Sequence, residues 1–344
     1  MSAARDPSAD TVRHRPVMLA EVLAELAPRD GERFVDGTFG AGGYSSAILD
    51  RARCSVLGID RDRTAVDAGE ALAAASAGRL HLAHGPFSGL ADLAEAASWD
   101  SVDGVVLDLG VSSMQLDQAE RGFSFQKDGP LDMRMGQDGP SAADVVNALP
   151  EKDLADVIFR YGEERRSRLI ARRIVDARAS EPFTRTKALA DLVSDAIGRR
   201  GGQAIHPATR TFQALRIYVN RELHELADAL FAAERILRAG GRLVVVAFHS
   251  LEDRIVKRFF ADRSRTSAGG SRHQPEAHVE PATFSVARRS ALTPGAAEID
   301  ENPRARSARL RTGIRTDAPS RPTDPGLLGL SAFPALAVSQ GQIP

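Results

Sequence analysis

The stretch "FVDGTFGAGGYSSAIL", residues 34–49, reads as a short strand that runs into a glycine-rich loop and then a helix. Further short apolar runs follow: "CSVLGID" from Cys54, "RLHLAHG" from Arg79, "VDGVVLDLG" from Val102 and "GRLVVVAF" from Gly241. Helical patterns separate them, and this alternation predicts an α/β fold, a parallel sheet with helices on both faces. Before the last run, Leu215, Val219, Leu223, Leu226, Leu230, Ala233 and Leu237 recur every three or four residues. They predict one long helix, closed by Gly240 and Gly241, with its apolar stripe on the sheet.

The chain has 344 residues and 43% hydrophobic content, enough for one large core or two modest ones. Its 45 basic and 46 acidic side chains leave a net charge of -1, so a nucleic-acid partner would have to meet a local basic patch. The single cysteine, Cys54, excludes an internal disulfide. The start "MSAARDPSAD" lacks an apolar signal core and no run of apolar residues is long enough to span a bilayer, so the expectation is a cytoplasmic protein with no membrane role.

Between the strand ending near Gly110 and the long helix lie about 100 residues, far beyond an ordinary strand-to-helix loop. We read residues 112–208 as an inserted helical domain that splits the sheet domain into 1–111 and 209–315. Within it Ser141 is a candidate cap for "AADVVNAL", "EKDLADVIFRYG" follows Pro150, "EERRSRLIARRIVDAR" is strongly basic, and Thr186 is a candidate cap for "KALADLVSDAIGRR". The polar stretch from Asp262 to Glu280 and the tail 316–344 read as loop or disorder.

The glycine loop fits neither common phosphate motif: Gly40, Gly42 and then Ser45 miss the dinucleotide fingerprint, and no P-loop lysine follows. Asp60, about 20 residues beyond the loop, stands where a carboxylate accepts hydrogen bonds from two ribose hydroxyls. Asp36 discriminates between ligands, because a carboxylate beside the loop repels a pyrophosphate and suits an ammonium and a sulfonium. That points to S-adenosyl-L-methionine. Two alternatives stand at this level: a nicotinamide cofactor, or glycines that only permit a tight turn with Asp36 as a cap. Later strand ends add Phe87, as a face for adenine, and Asp108, where a methyl donor would meet its acceptor. Open α/β sheets bind ligands along this edge.

The motifs "HRPVML", "DGTFGAGGYS", "GIDRD", "HGPFS", "LDLGVSS", "ERGFSF", "GPLDMR", "YGEER", "HPATRTFQALRIYVN", "AFHSLEDRIVK" and "NPRARSARLR" together closely resemble the RsmH (MraW) family over roughly residues 14–315. The resemblance implies a Rossmann-like, seven-stranded methyltransferase domain interrupted by a helical domain. It implies methyl transfer from S-adenosylmethionine to the exocyclic N4 of a cytidine in the decoding region of small-subunit ribosomal RNA. The implied partner is that RNA, in an assembled or nearly assembled 30S particle, and a homodimer is left open. Cofactor contacts implied by motif fall on Gly42, Gly43, Tyr44, Asp60, Phe87, Asp108 and Gln115, with Asp108 also the candidate catalytic residue. Family members often carry His at the Tyr44 position and Pro at Met114, and the second departure bears on the turn that aims Gln115.

In such chemistry the cytosine amine needs an acceptor for one of its hydrogens, and Asp108 or the backbone at Leu109 and Gly110 would provide it. His249 is a second candidate for contact with the base, against a structural role. Asp132 and Arg134 would shape the site or form a loop ion pair. A flipped base needs an aromatic face, for which Phe123 and Phe125 are candidates, against simple core packing. For the phosphates the sequence offers "EERRSRLIARR" and Arg304, Arg306, Arg309, Arg311 and Arg315. A non-catalytic RNA-binding factor would keep these arginines without needing the strand-end set.

Overall fold

The computed structural model describes residues 16–136, 138–198, 206–266 and 280–330. Its strands are β1 Arg33–Asp36, β2 Ser55–Asp60, β3 Leu80–His84, β4 Val102–Asp108, β5 Leu237–Ala247, β6 Phe284–Ser285 and β7 Arg309–Arg315. The helices of the first half are α1 Leu19–Leu26, α2 Gly43–Arg51, α3 Arg63–Ala75, α4 Leu90–Ala96 and α5 Ser113–Asp117. Those that follow are α6 Ala142–Ala148, α7 Glu151–Gly162, α8 Ser167–Arg178, α9 Thr186–Ile197, α10 Thr209–Asn220, α11 Glu222–Ile236, α12 Ser250–Arg263 and α13 Ala296–Glu301.

The strands form one seven-stranded sheet in the order β3-β2-β1-β4-β5-β7-β6. β1 to β5 run parallel, whereas β7 is antiparallel to both neighbours. Successive side chains of a strand point to opposite faces, and both faces are buried here. Val35, Val105 and Val245 join one core, and Phe34, Val106 and Val244 join the other. Parallel pairing brings the ends of β1, β2 and β4 to one edge, since Asp36 lies beside both Gly58 and Val106. Order reverses between β1 and β4, where such sheets open a crevice.

The predicted insertion contains α6 to α9, which share the first core through Val145, Leu154, Ile158, Ile170, Leu189 and Val193. Ser141 caps α6 in a reciprocal capping box with Asp144. Thr186 is not a cap: α9 starts at it, and its hydroxyl accepts the Gly129 amide at 3.0 Å.

The long helix predicted from Leu215 to Leu237 is two helices. All seven stripe residues are buried, but the chain turns at Arg221, whose φ of 53° is left-handed. α10 therefore packs on α7 of the insertion, and α11 continues to the sheet. The helix ends at Ile236, and Gly240 and Gly241 lie within the irregular start of β5. The expected loop from Asp262 begins after Arg263, the last residue of α12, and 267–279 lie outside the described residues. The tail departs from expectation up to residue 330: Leu328 and Leu330 are buried, and Arg258 donates to the Leu328 carbonyl at 3.0 Å. Residues 331–344 lie outside the described part. Among the described residues no helix is long and apolar enough to cross a membrane.

Candidate active site

The glycine loop is built by close approach. A Cβ on Gly37 would stand 2.5 Å from Leu107 Cδ2, and Gly42 takes a φ of 75° just before α2 begins. Asp60 fixes the loop from below: Oδ2 accepts the Gly40 amide at 2.8 Å and Oδ1 accepts the Asp62 amide at 2.8 Å. Burial raises its carboxyl above the usual range, against the pull of those two amides.

A cavity of about 260 Å³ opens over this edge. It is lined by Gly43, Tyr44, Asp60, Phe87, Asp108 and Gln115, six of the seven residues carried over by motif. Gly42 is not in its wall and serves the turn. Tyr44 is buried with its hydroxyl bonded to the Val17 carbonyl, so the ring ties the 16–17 segment to the cavity wall. Gln115 is aimed locally, its Oε1 accepting the Ser112 amide at 3.0 Å.

Asp36 lies beneath the loop and outside the cavity wall. Its Oδ2 accepts the Ser45 hydroxyl at 2.7 Å and its Oδ1 the Thr38 amide at 3.2 Å. Burial pushes its carboxyl up to about 6. Asp36 therefore stands beside the loop, as the sequence reading has it, without reaching the cavity. Asp108 is the member of the pair that reaches the cavity. Its amide donates to Thr38 Oγ1 at 2.7 Å, while its Oδ1 is buried with no hydrogen-bond partner among the described residues. Burial, then Asp36 and Glu252, hold the Asp108 carboxyl well above the usual carboxylate range. An unpartnered buried acceptor is costly unless a ligand completes it. A cationic ligand, or one carrying an N–H, answers that deficit.

Several predicted residues are engaged elsewhere. His249 precedes α12, where its Nδ1 faces the Glu252 amide at 3.4 Å and its Nε2 the Glu252 carboxylate at 3.0 Å. Burial opposes ionisation of Glu252, yet His249 and Arg216 hold its carboxyl below the usual range. Glu222, close to both, has its two oxygens taken by Arg216 at 2.8 and 2.7 Å, which ties this cluster together internally. Asp132 and Arg134 form a local pair at 2.7 Å outside the cavity. Phe123 is buried, and Phe125 is half-buried, its ring 4.6 Å from that of His206 and, in an edge-on contact, 4.8 Å from that of Phe212. Arg311 pairs with Asp253 at 2.7 Å and Arg315 is buried against the Glu234 carbonyl, which removes both from the phosphate set. Arg165, Arg166, Arg168, Arg306 and Arg309 are exposed.

Sequence reasoning missed Phe248, Met135, Arg61 and Asn302, all of which line the cavity, and Arg304 stands at its wall with Asp117 at 3.2 Å. "AFHS" held the signal for Phe248, because Asp108 pairs with Val246 and the aromatic follows two residues later on the same edge. No local signal marks Met135.

A protein-family model described as the MraW methylase family matches residues 11–315. A protein of Hyphomonas neptunium named ribosomal RNA small subunit methyltransferase H is 60% identical over 89% of this chain and 89% of its own. One of the same name from Azorhizobium caulinodans is 58% identical over 94% of this chain and 93% of its own. A solved structure described as an rRNA methylase from Streptococcus thermophilus aligns with a TM-score of 0.39 at 10% identity, covering 89% of this chain and 99% of that one. Matched along nearly its whole length by family and relatives alike, the chain belongs to the MraW methylase family, S-adenosylmethionine-dependent methyltransferases.

Proposed function

We propose that this protein methylates the exocyclic N4 of a cytidine in the decoding region of small-subunit (16S) ribosomal RNA, presented in an assembled or nearly assembled 30S particle. The observation that carries the reading is Asp108: a buried carboxylate oxygen without a partner among the described residues, at the cavity wall and at the end of β4. The names of the close relatives support ribosomal RNA as the substrate class.

S-adenosylmethionine supplies an electrophilic methyl carbon on a good leaving group. Asp60 is placed for the ribose, Phe87 for the adenine, and the loop amides around Gly43 for the methionine end. The cytosine N4 lone pair is delocalised into the ring, so the chain must hold one amino hydrogen while the nitrogen becomes tetrahedral. Asp108 Oδ1 accepts that hydrogen. With the methyl group on N4 and S-adenosylhomocysteine as the leaving group, Asp108, when ionised, would take the surplus N4 proton. Positioning supplies most of the rate in such a displacement. A paired base cannot reach the cavity and must be flipped out. Phe248, partly exposed and in the cavity wall, is the aromatic face available to it. The insertion, with the exposed arginines of α8, and Arg304, Arg306 and Arg309 hold the RNA backbone. The deciding experiment maps N4-methylated cytidines in small-subunit RNA from cells with and without this protein. Loss of one decoding-region methyl group is expected, and an unchanged map overturns the reading.

A further inference from the structure

Met135 lines the cavity beside Arg61 and Asp62, and the segment Met133-Arg134-Met135 that carries it has no regular secondary structure of its own to hold it there. Met133 takes a φ of 62°, a conformation a non-glycine residue adopts only when its surroundings impose it. Asn220, buried at the last position of α10, imposes it. Its Nδ2 donates to the Met133 carbonyl at 2.7 Å and to the Arg216 carbonyl at 2.9 Å, and its Oδ1 accepts the Met135 amide at 2.8 Å. Both amide hydrogens and one lone pair of the amide oxygen are thereby used. From the other side Arg121 donates to the Arg134 carbonyl at 3.2 Å and the Met135 carbonyl at 2.9 Å, and its second nitrogen binds Asp62 at 2.7 Å. Arg61 completes the ring by donating to the Asn220 carbonyl at 3.1 Å, and the Asp62 amide binds Asp60.

We infer that Asn220 is a positioning residue for the cofactor: it holds Met135 as a wall of the nucleoside half of the cavity, so cofactor affinity depends on the junction between α10 and the insertion. The inference rests on the reading that this cavity takes the cofactor through Asp60. Asn220 does not touch the cofactor, and it acts only through Met135.

The test is a double-mutant cycle read by calorimetry with S-adenosylhomocysteine. Asn220→Ala and Met135→Ala are each expected to weaken binding about tenfold, and the double variant to be no weaker than the worse single one. In steady state the KM for S-adenosylmethionine should rise in step with the weakened binding, by more than kcat falls. A merely structural asparagine would lower melting temperature without coupling to Met135, so additive losses, or unchanged affinity in folded Asn220→Ala, overturn the inference. Should Asn220→Ala fail to fold, Arg121→Gln releases the segment from its other, partly exposed side, and the same cycle with Met135→Ala decides. Failure of the underlying cofactor reading shows separately, as unchanged affinity in Asp60→Ala.

Discussion

The Gly40 amide donates to Asp60 Oδ2 at 2.8 Å, so the carboxylate proposed to hold the ribose is also the acceptor that fixes the glycine loop. Each oxygen keeps a lone pair for a ligand hydroxyl after binding one backbone amide. Asp60→Ala removes both roles and should weaken S-adenosylhomocysteine binding by at least tenfold, about 1.4 kcal/mol. Asp60→Asn keeps one acceptor oxygen and should lose less. Calorimetry on both variants checks the order, and equal affinities for parent and Ala variant would remove Asp60 from the site.

Asp36 gives the protein a pH dependence of known sign. Its carboxyl rises from 3.8 to about 6, so the folded state holds a proton that the unfolded chain has released. The stability this provides is complete below about 4 and is lost as pH rises through about 6, a cost of about 3 kcal/mol. The groups facing Asp36 are Ser45, Thr38, Asp60 and Asp108. Urea unfolding from pH 4 to 8 should show the parent losing stability relative to Asp36→Asn over that window. Affinity for cationic S-adenosylmethionine should move oppositely, rising with pH as the two carboxylates ionise. A parent and variant that run parallel would refute the assignment.

Asp108→Asn separates orientation of the target amine from anchoring of the cofactor. The variant keeps one acceptor oxygen and loses the charge. Single-turnover methylation should fall by at least tenfold while S-adenosylmethionine affinity changes by less than that factor. If instead affinity falls first and saturating cofactor restores the rate, the residue is mainly an anchor.

Phe248→Leu should slow methylation of RNA by about tenfold or more, in keeping with about 1–3 kcal/mol for a stacked base. Affinity for S-adenosylhomocysteine should stay within about threefold, and Phe248→Trp should recover most of the rate. A Leu variant with the parent's rate would mean that the base stacks elsewhere.

Replacing the exposed Arg165, Arg168 and Arg172 by Gln should weaken RNA binding and flatten its salt dependence by nearly one unit for each phosphate no longer neutralised. Arg166 is spared because it donates to the Ile197 carbonyl at 2.6 Å. Cofactor affinity should not move. Identical salt slopes would make this helix a solvated face.

Sequence alone determined what depends on neighbours along the chain. Strand-loop-helix punctuation from Phe34 to Leu49, the alternation of apolar runs and the excess length between Gly110 and Thr209 are local or countable signals, and they foretold the sheet and the run of helices α6 to α9 between β4 and α10. Those signals also placed Asp60, Phe87 and Asp108, because residues at the ends of parallel strands share an edge whatever the crossovers do. Tertiary structure decided the rest. The turn at Arg221 leaves the apolar stripe in phase on both sides, so periodicity could not reveal it. Arg311 and Arg315 read as free cations until folding set them against Asp253 and the Glu234 carbonyl, 58 and 81 residues away. Met135 lies at the cavity wall with its amide bound to Asn220, 85 residues further along the chain. The division is physical: period and turn chemistry are written between adjacent residues, whereas the partner of a buried polar group is chosen by whatever the whole fold brings within hydrogen-bonding distance.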